Sequence, residues 1–284
     1  MNRQFEKTAE MVLFLPALLS VILTLAIFVF MLVFGLPLMK GGRFFELITG
    51  SWSPGHGMYG IQPMIMGTMA IASLSVFFAF PLSMGCASLI SVLAPRGFST
   101  FLRHTVRLMT GVPTVIYGFV GIFLLVPIIR ELFQNGSGFC ILSASLMLAL
   151  LISPTMILVF MESFDRVPKS YLDAADALGG TPVQKLVYVI IPQARQGIWM
   201  GVILSMGRSL GDTLIALMLA GNAIATPGSV LDSVRTLTAH IALVIASDYE
   251  SLEFKSVFAC GLILYGFNAL IIVMLRYVES KGTQ

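Results

Sequence analysis

The sequence predicts an all-α polytopic membrane protein with six transmembrane helices and a cytoplasmic helix-turn-helix loop. Composition is the first ground. The AVILMFWYC set makes up 57% of the 284 residues and charged residues 11%, against the roughly 25% charged of a soluble domain. Mean hydropathy is +0.93. The second ground is that the apolar residues arrive in long blocks without the polar face of an amphipathic helix. The third is the placement of Lys and Arg, which gather in alternate connecting segments.

Six blocks cover roughly residues 11–39, 61–94, 104–130, 139–163, 196–221 and 254–275. Each can exceed the ~20 residues needed to cross a bilayer, and each is predicted helical because lipid offers backbone groups no other partner. The first is too long for a signal-sequence core and no A-x-A site follows it, so it is expected to be retained. With the N-terminus inside, 11 of the 17 Lys and Arg fall in cytoplasmic segments and 5 outside, with Arg208 left within a span. Both termini are therefore predicted to be cytoplasmic. The net charge of +3 is dispersed and forms no basic patch, so no nucleic acid partner is expected. Cys86, Cys140 and Cys260 lie far apart without CxxC spacing, and His56, His104 and His240 are equally scattered. Neither set predicts a disulfide or a metal site.

Two loops exceed the length of simple connectors. The outer one, about residues 222–253, carries Asp232, Arg235, His240, Asp248 and Glu250. It is either a contact for a partner outside the membrane or a solvated connector with a short helix around Val234 to Ala246. The inner one, about residues 164–195, holds two helix signals. Ser170 stands three residues before Asp173 in capping-box spacing, and the helix it opens stops at Gly179-Gly180. Thr181 then caps a second helix with Pro182 at its first position, and that helix is expected to end near Pro192.

That loop reads Asp173-Ala174-Ala175, three residues, Gly179, nine residues, then Val189-Ile190-Ile191-Pro192. It resembles the E-A-A, Gly, I-x-L-P pattern of ABC importer permeases, with Asp for Glu, Val for Ile and Ile for Leu. The resemblance implies one transmembrane permease domain over residues 1–284, with 164–195 as its coupling loop. It further implies that Asp173, Ala174, Ala175, Gly179 and Pro192 dock into a cytoplasmic ATPase. Small side chains at Ala174, Ala175 and Ala177 allow close approach, and Gly179 permits the bend. The bland alternative is an amphipathic loop on the bilayer surface.

The fifth block places small residues at four-residue spacing, Gly197, Gly201, Ser205 and Ser209, and carries Arg208 and Asp212 one helical turn apart. Arg208 falls about 18 Å into a core of ~30 Å. An unpaired charge there costs on the order of 2.5–3.5 kcal/mol, and an i,i+4 pair recovers only ~0.5, so the pair is expected to face protein or water. It is either a structural ion pair or part of a pathway. The run Gly207-Arg208-Ser209-Leu210-Gly211-Asp212-Thr213, continuing to Gly221-Asn222, is similar to the G-R-x-[LI]-G-E-T signature of phosphate permeases. Asp212 stands where those proteins carry Glu. Gly111-Val112-Pro113-Thr114-Val115-Ile116-Tyr117-Gly118 resembles the stretch that opens their third span.

Phosphate permeases come as two related subunits, and Gly221-Asn222 looks more like the PstC type. The resemblance implies import of inorganic phosphate along a path lined by Arg208, Asp212, Ser205, Ser209 and Thr213. It implies four kinds of partner: a second, PstA-like permease, a PstB-like ATPase dimer, a PstS-like periplasmic phosphate-binding protein and membrane lipid. No G-x-x-x-x-G-K-[ST] motif occurs, so no cofactor is expected on this chain and ATP is expected to be used by the ATPase. The predicted location is the inner membrane. Competing readings are a permease for sulfate, molybdate or phosphonate, an intramembrane enzyme, which lacks a His beside Ser209 and Asp212, and a membrane scaffold.

Overall fold

A computed structural model describes residues 3–39, 43–134, 136–247 and 251–280. Asp248 and Glu250 of the expected outer loop lie outside these residues. The chain opens with the long helix α1 (Arg3–Met39), followed by the short α2 (Arg43–Thr49). A two-stranded hairpin, β1 (Trp52–Ser53) and β2 (Met58–Tyr59), leads into the second span. That span is α3 (Gln62–Ser88), extended by a π-helical turn over Leu89–Leu93. The side chains of α1 from Val12 onward are largely exposed, as suits a helix whose solvent is lipid. One stripe of it meets the last helix through Phe30 and Phe34, whose rings lie 5.5 and 5.2 Å from that of Phe258.

The third span begins later than the sequence predicts. Residues 104–109 belong to a separate helix, α4 (Arg96–Met109), and the span proper starts after Pro113 as α5 (Thr114–Val120). It continues through a π-helical turn at Gly121–Leu125 into α6 (Val126–Phe133). The reason is local: the chain turns through Thr110 to Val112, and Pro113 adopts an extended backbone that cannot continue a helix. Hydropathy alone merged the apolar side chains of α4 with the span behind them.

The fourth span, α7 (Ile141–Asp165), is the centre of the molecule, with Ala144, Ile152, Met156 and Phe160 all fully buried. Its main neighbour is α3, which turns Ser75, Ala79, Ser83 and Ala87 toward it, each at 0% exposure. Four small side chains at four-residue spacing let two backbones approach closely, which is how apolar helices associate without a hydrophobic driving force. Ser83 and Ser145 donate across this contact to the carbonyls of Ser153 and Ile71, each at 3.4 Å.

After α7 come α8 (Lys169–Ala177) and α9 (Pro182–Lys185), the expected helix-turn-helix. Two boundaries differ from expectation. Ser170 makes no capping bond, because Pro168 takes the cap position and helix begins directly at Lys169. Pro192 does not end the second helix. A π-helical turn at Leu186–Ile190 widens the ladder, and α10 (Ile191–Gln193) carries Pro192 in its first turn, where a missing N–H is tolerated.

The fifth span is also reshaped. Its main helix, α11 (Arg195–Gly211), meets the preceding helical segment at a bend of 70°. It stops at Asp212, whose backbone is extended, and resumes as α12 (Leu214–Leu219). The outer loop contains the expected short helix, α13 (Leu237–Val244), capped by Thr236. That loop is not a solvated connector: Leu237, Ala239 and His240 are fully buried against the bundle. The chain closes with α14 (Leu252–Ser280). Among the described residues, five helical spans are long and apolar enough to cross a membrane, and the bent pair ending in α11 makes six when it is taken as one span. All three cysteines are free, Cys140 and Cys260 in the interior.

Candidate functional site: a lone guanidinium at a helix break and an exposed helical loop

Two regions collect the residues singled out from sequence. The first lies at the end of α11. Gly197 and Gly201 bring this helix against α7: a Cβ on Gly197 would collide with Ser163, and one on Gly201 would lie 2.7 Å from the ring of Phe160. Ser205 and Ser209, further along α11, are at 0% and 5% exposure, with hydroxyls that find no partner among the described residues. They are turned into the helix packing and away from open space. Arg208, by contrast, is exposed, and its Nη1 donates to the hydroxyl of Thr155 on α7 at 2.6 Å.

The expected i,i+4 pair of Arg208 with Asp212 does not form. The helix ends between them, so the two residues no longer share one ladder. Asp212 uses Oδ2 to accept from the backbone N–H of Ile215 at 2.9 Å, fixing the first turn of α12. Its carbonyl oxygen accepts from the Thr238 hydroxyl of α13 at 2.9 Å. A carboxylate with one methylene fewer than Glu is the right length for this local turn. Arg208 and Asp212 remain within electrostatic reach of each other without forming an ion pair. Thr213 stands in the break, half-buried.

Of the five expected path residues, the structure thus gathers Arg208, Asp212 and Thr213 at one helix interruption and places Ser205 and Ser209 in the packing. Two contributors escaped sequence reading. Thr155 follows Pro154 inside α7, and a hydroxyl beside a span proline was the available signal. Tyr117 on α5 lies within electrostatic reach of Arg208 and belongs to the run beginning Gly111-Val112-Pro113. Chemically, a guanidinium has five N–H donors in one plane, and Arg208 spends one on a neutral hydroxyl. The remaining donors and the whole charge are available to an anion.

The second region is the α8–α9 loop. No residue of α8 is buried, and Tyr171, Leu178, Val183 and Tyr188 stand exposed, Leu178 at 89%. The loop is nonetheless held in shape. Gly179 has φ of +77°, a left-handed conformation that glycine adopts without strain, and its N–H bonds the carbonyl of Asp176 at 2.9 Å. Thr181 and Gln184 form a reciprocal capping box, and Lys185 Nζ reaches Asp176 Oδ1 at 2.6 Å. Asp173, Ala174 and Ala175 lie on α8 before the Gly179 turn, and Pro192 lies at the far end in α10. A shaped loop with exposed apolar and aromatic side chains, uncovered among the described residues, is built for contact with another surface.

Residues 79–283 match the family of binding-protein-dependent transport system inner membrane components. A probable ABC transporter permease of Bacillus subtilis, YqgH, is 32% identical, the alignment covering 99% of this chain and 93% of that one. Phosphate transport system permease proteins PstC of Mesorhizobium japonicum and Haemophilus influenzae are 30% and 28% identical over 83% and 94% of this chain, covering 78% and 91% of their own length. A crystal structure of a bacterial ABC transporter involved in import of the polysaccharide alginate superimposes with a TM-score of 0.64 at 13% identity, covering 99% of both chains. The MetNI methionine transporter gives 0.58 at 16%, over 84% of this chain and 99% of its own. Five to six spans, a helix-turn-helix loop and these matches agree, and the chain belongs to the binding-protein-dependent inner membrane component family as the multi-pass permease component of an ABC transporter, a transport subunit and not an enzyme.

Proposed function

We propose that this permease conducts inorganic phosphate inward as the PstC-type subunit of an ATP-driven importer. The observation that carries the reading is Arg208: a charged, exposed guanidinium within a span, fixed by a neutral hydroxyl and without an ion-pair partner among the described residues, at the point where the helix breaks. A tetrahedral oxyanion supplies the missing charge and accepts two parallel hydrogen bonds from the planar fork. Asp212 is fixed as the brace of α12, so it moderates the field without closing off Arg208. Such a site binds briefly, which leaves selectivity to a PstS-like binding protein outside. The PstC relatives support the choice of phosphate over other oxyanions.

In this reading both termini are cytoplasmic, following the 11-to-5 bias of basic residues. The α8–α9 loop seats Asp173, Ala174, Ala175 and Gly179 in a groove of a PstB-like ATPase dimer, which binds and hydrolyses ATP, while Pro192 lies where the loop joins α11. A PstA-like permease completes the path. Replacing Arg208 with Gln tests the reading by uptake of radiolabelled phosphate. Loss of a charged hydrogen-bond donor lowers uptake by on the order of thirtyfold or more, with membrane insertion and ATPase co-purification unchanged. Normal uptake by that variant removes Arg208 from the mechanism.

A further inference from the structure

Helix α4 joins the second and third spans, so it must lie where the bilayer meets water. It packs against the π-helical end of α3 and the last turns of α7, at the end from which α7 enters the α8–α9 loop. Its circumference divides into three arcs at 100° per residue. The core arc holds Ser99, Leu102, Arg103 and Val106. Ser99 donates to the Ile90 carbonyl at 2.6 Å, Arg103 pairs with Asp165 at 2.8 Å, and Val106 is 6% exposed. A second arc presents Phe98, Phe101 and Leu108 at 49%, 64% and 75% exposure, with none of the described residues covering them. The third carries Arg96, Arg107 and His104, all exposed.

The charges of the third arc are uncompensated. Helix α4 contains no acidic residue, and the two carboxylates in the last turn of α7 are already engaged, Asp165 by Arg103 and Glu162 by Arg166. Among the described residues, neither Arg96 nor Arg107 has an ion-pair partner. An apolar arc beside a basic arc, on a helix held at the membrane boundary, is complementary to a surface that is acyl chain on one side and anionic phosphate on the other. A protein surface would have to supply both features in the same order.

We propose that α4 is a binding site for acidic phospholipid, with Phe98, Phe101 and Leu108 entering the acyl boundary and Arg96 and Arg107 receiving the headgroup phosphate. The full chain is placed in phosphatidylcholine nanodiscs carrying a photoactivatable phosphatidylglycerol, and crosslinks are mapped by mass spectrometry. Label concentrates on residues 96–109 in the wild type. Each arginine contributes roughly fivefold, so Arg96→Gln with Arg107→Gln lowers that label on the order of twentyfold, and raised salt does the same. Among the described residues, neither arginine side chain makes an intrachain hydrogen bond or ion pair, and monodispersity of the double variant checks its fold. Phe101→Gln, which alters no charge, also lowers the label.

Because both leaflets of the disc have the same composition, the result does not depend on which face is cytoplasmic or on which solute is carried. Equal label in wild type and double variant overturns the proposal, as does equal labelling of α4 by a photoactivatable phosphatidylcholine. Displacement by inorganic phosphate at matched ionic strength overturns it in favour of a free-anion site. Unchanged label with loss of co-purifying ATPase overturns it in favour of a protein contact.

Discussion

Replacing Thr155 with Val removes the hydroxyl that accepts from Arg208 Nη1 at 2.6 Å while keeping the side-chain volume. A hydrogen bond to a charged group contributes roughly 1.5–3 kcal/mol when buried, but Arg208 is exposed and water competes, so about 1 kcal/mol is the appropriate figure. That energy corresponds to about a fivefold loss of the observed orientation. The guanidinium keeps its charge, so attraction of the anion persists and its alignment suffers. Phosphate uptake in Thr155→Val is accordingly expected to fall about fivefold, and Thr155→Ser, which retains the hydroxyl, restores most of it. Uptake kinetics in vesicles with the assembled transporter separate this from a folding defect, since the amount of inserted permease stays constant. Wild-type uptake by a correctly inserted Thr155→Val protein would refute the idea that this hydroxyl positions Arg208. So would a Ser variant as impaired as Val.

Three further outcomes follow from local geometry. Gly179→Ala places a Cβ in open space, so its whole effect is the ~1–2 kcal/mol of left-handed backbone; ATP hydrolysis and transport should uncouple while insertion is retained, and unchanged coupling dismisses the loop as a docking element. Gly201→Leu drives side-chain atoms into Phe160, a residue at 0% exposure, and should lower the thermal unfolding midpoint by a change worth about 2 kcal/mol or more; an unchanged midpoint contradicts the α7–α11 contact. His240 is buried beside the ring of Trp52 at 4.4 Å, and burial, helped by the charge of Arg235, lowers its pKa from 6.5 to about 4. The folded state thus refuses a proton that the unfolded chain accepts below about 6.5, so stability is complete above that pH and declines as pH falls toward 4. The loss is on the order of 3 kcal/mol, and His240→Gln flattens the pH dependence of the unfolding midpoint.

The elements legible in the sequence are those decided within a single helical length. A block such as 139–163 has only one way to satisfy its backbone in lipid, and α7 occupies Ile141–Asp165. The Thr181-Pro182 start and the Gly179 turn were equally readable, because a cap and a left-handed glycine involve neighbours within four residues. Where apolar content was the sole guide, boundaries failed: the third block took in residues 104–109, the end of α4, because Val106, Leu108 and Met109 raise their hydropathy although His104 and Arg107 stand among them. Periodicity over residues 96–109 would have separated it from the span.

The environment of Arg208 depends on contacts that sequence spacing does not encode. A four-residue spacing from Arg208 to Asp212 implies a shared face only if the ladder is unbroken, and the ladder breaks because Asp212 has a better local partner in the N–H of Ile215. Its backbone is further held by Thr238, 26 residues away, on a helix that folds back into the bundle. Likewise Ser205 and Ser209 are buried by helix packing, on a helix whose Gly197 and Gly201 admit α7 closely. The partner Arg208 keeps, Thr155, is 53 positions earlier on that same α7. One helix therefore supports α11 through the glycines and orients its charge through the hydroxyl, so a shift of α11 against α7 would alter both at once.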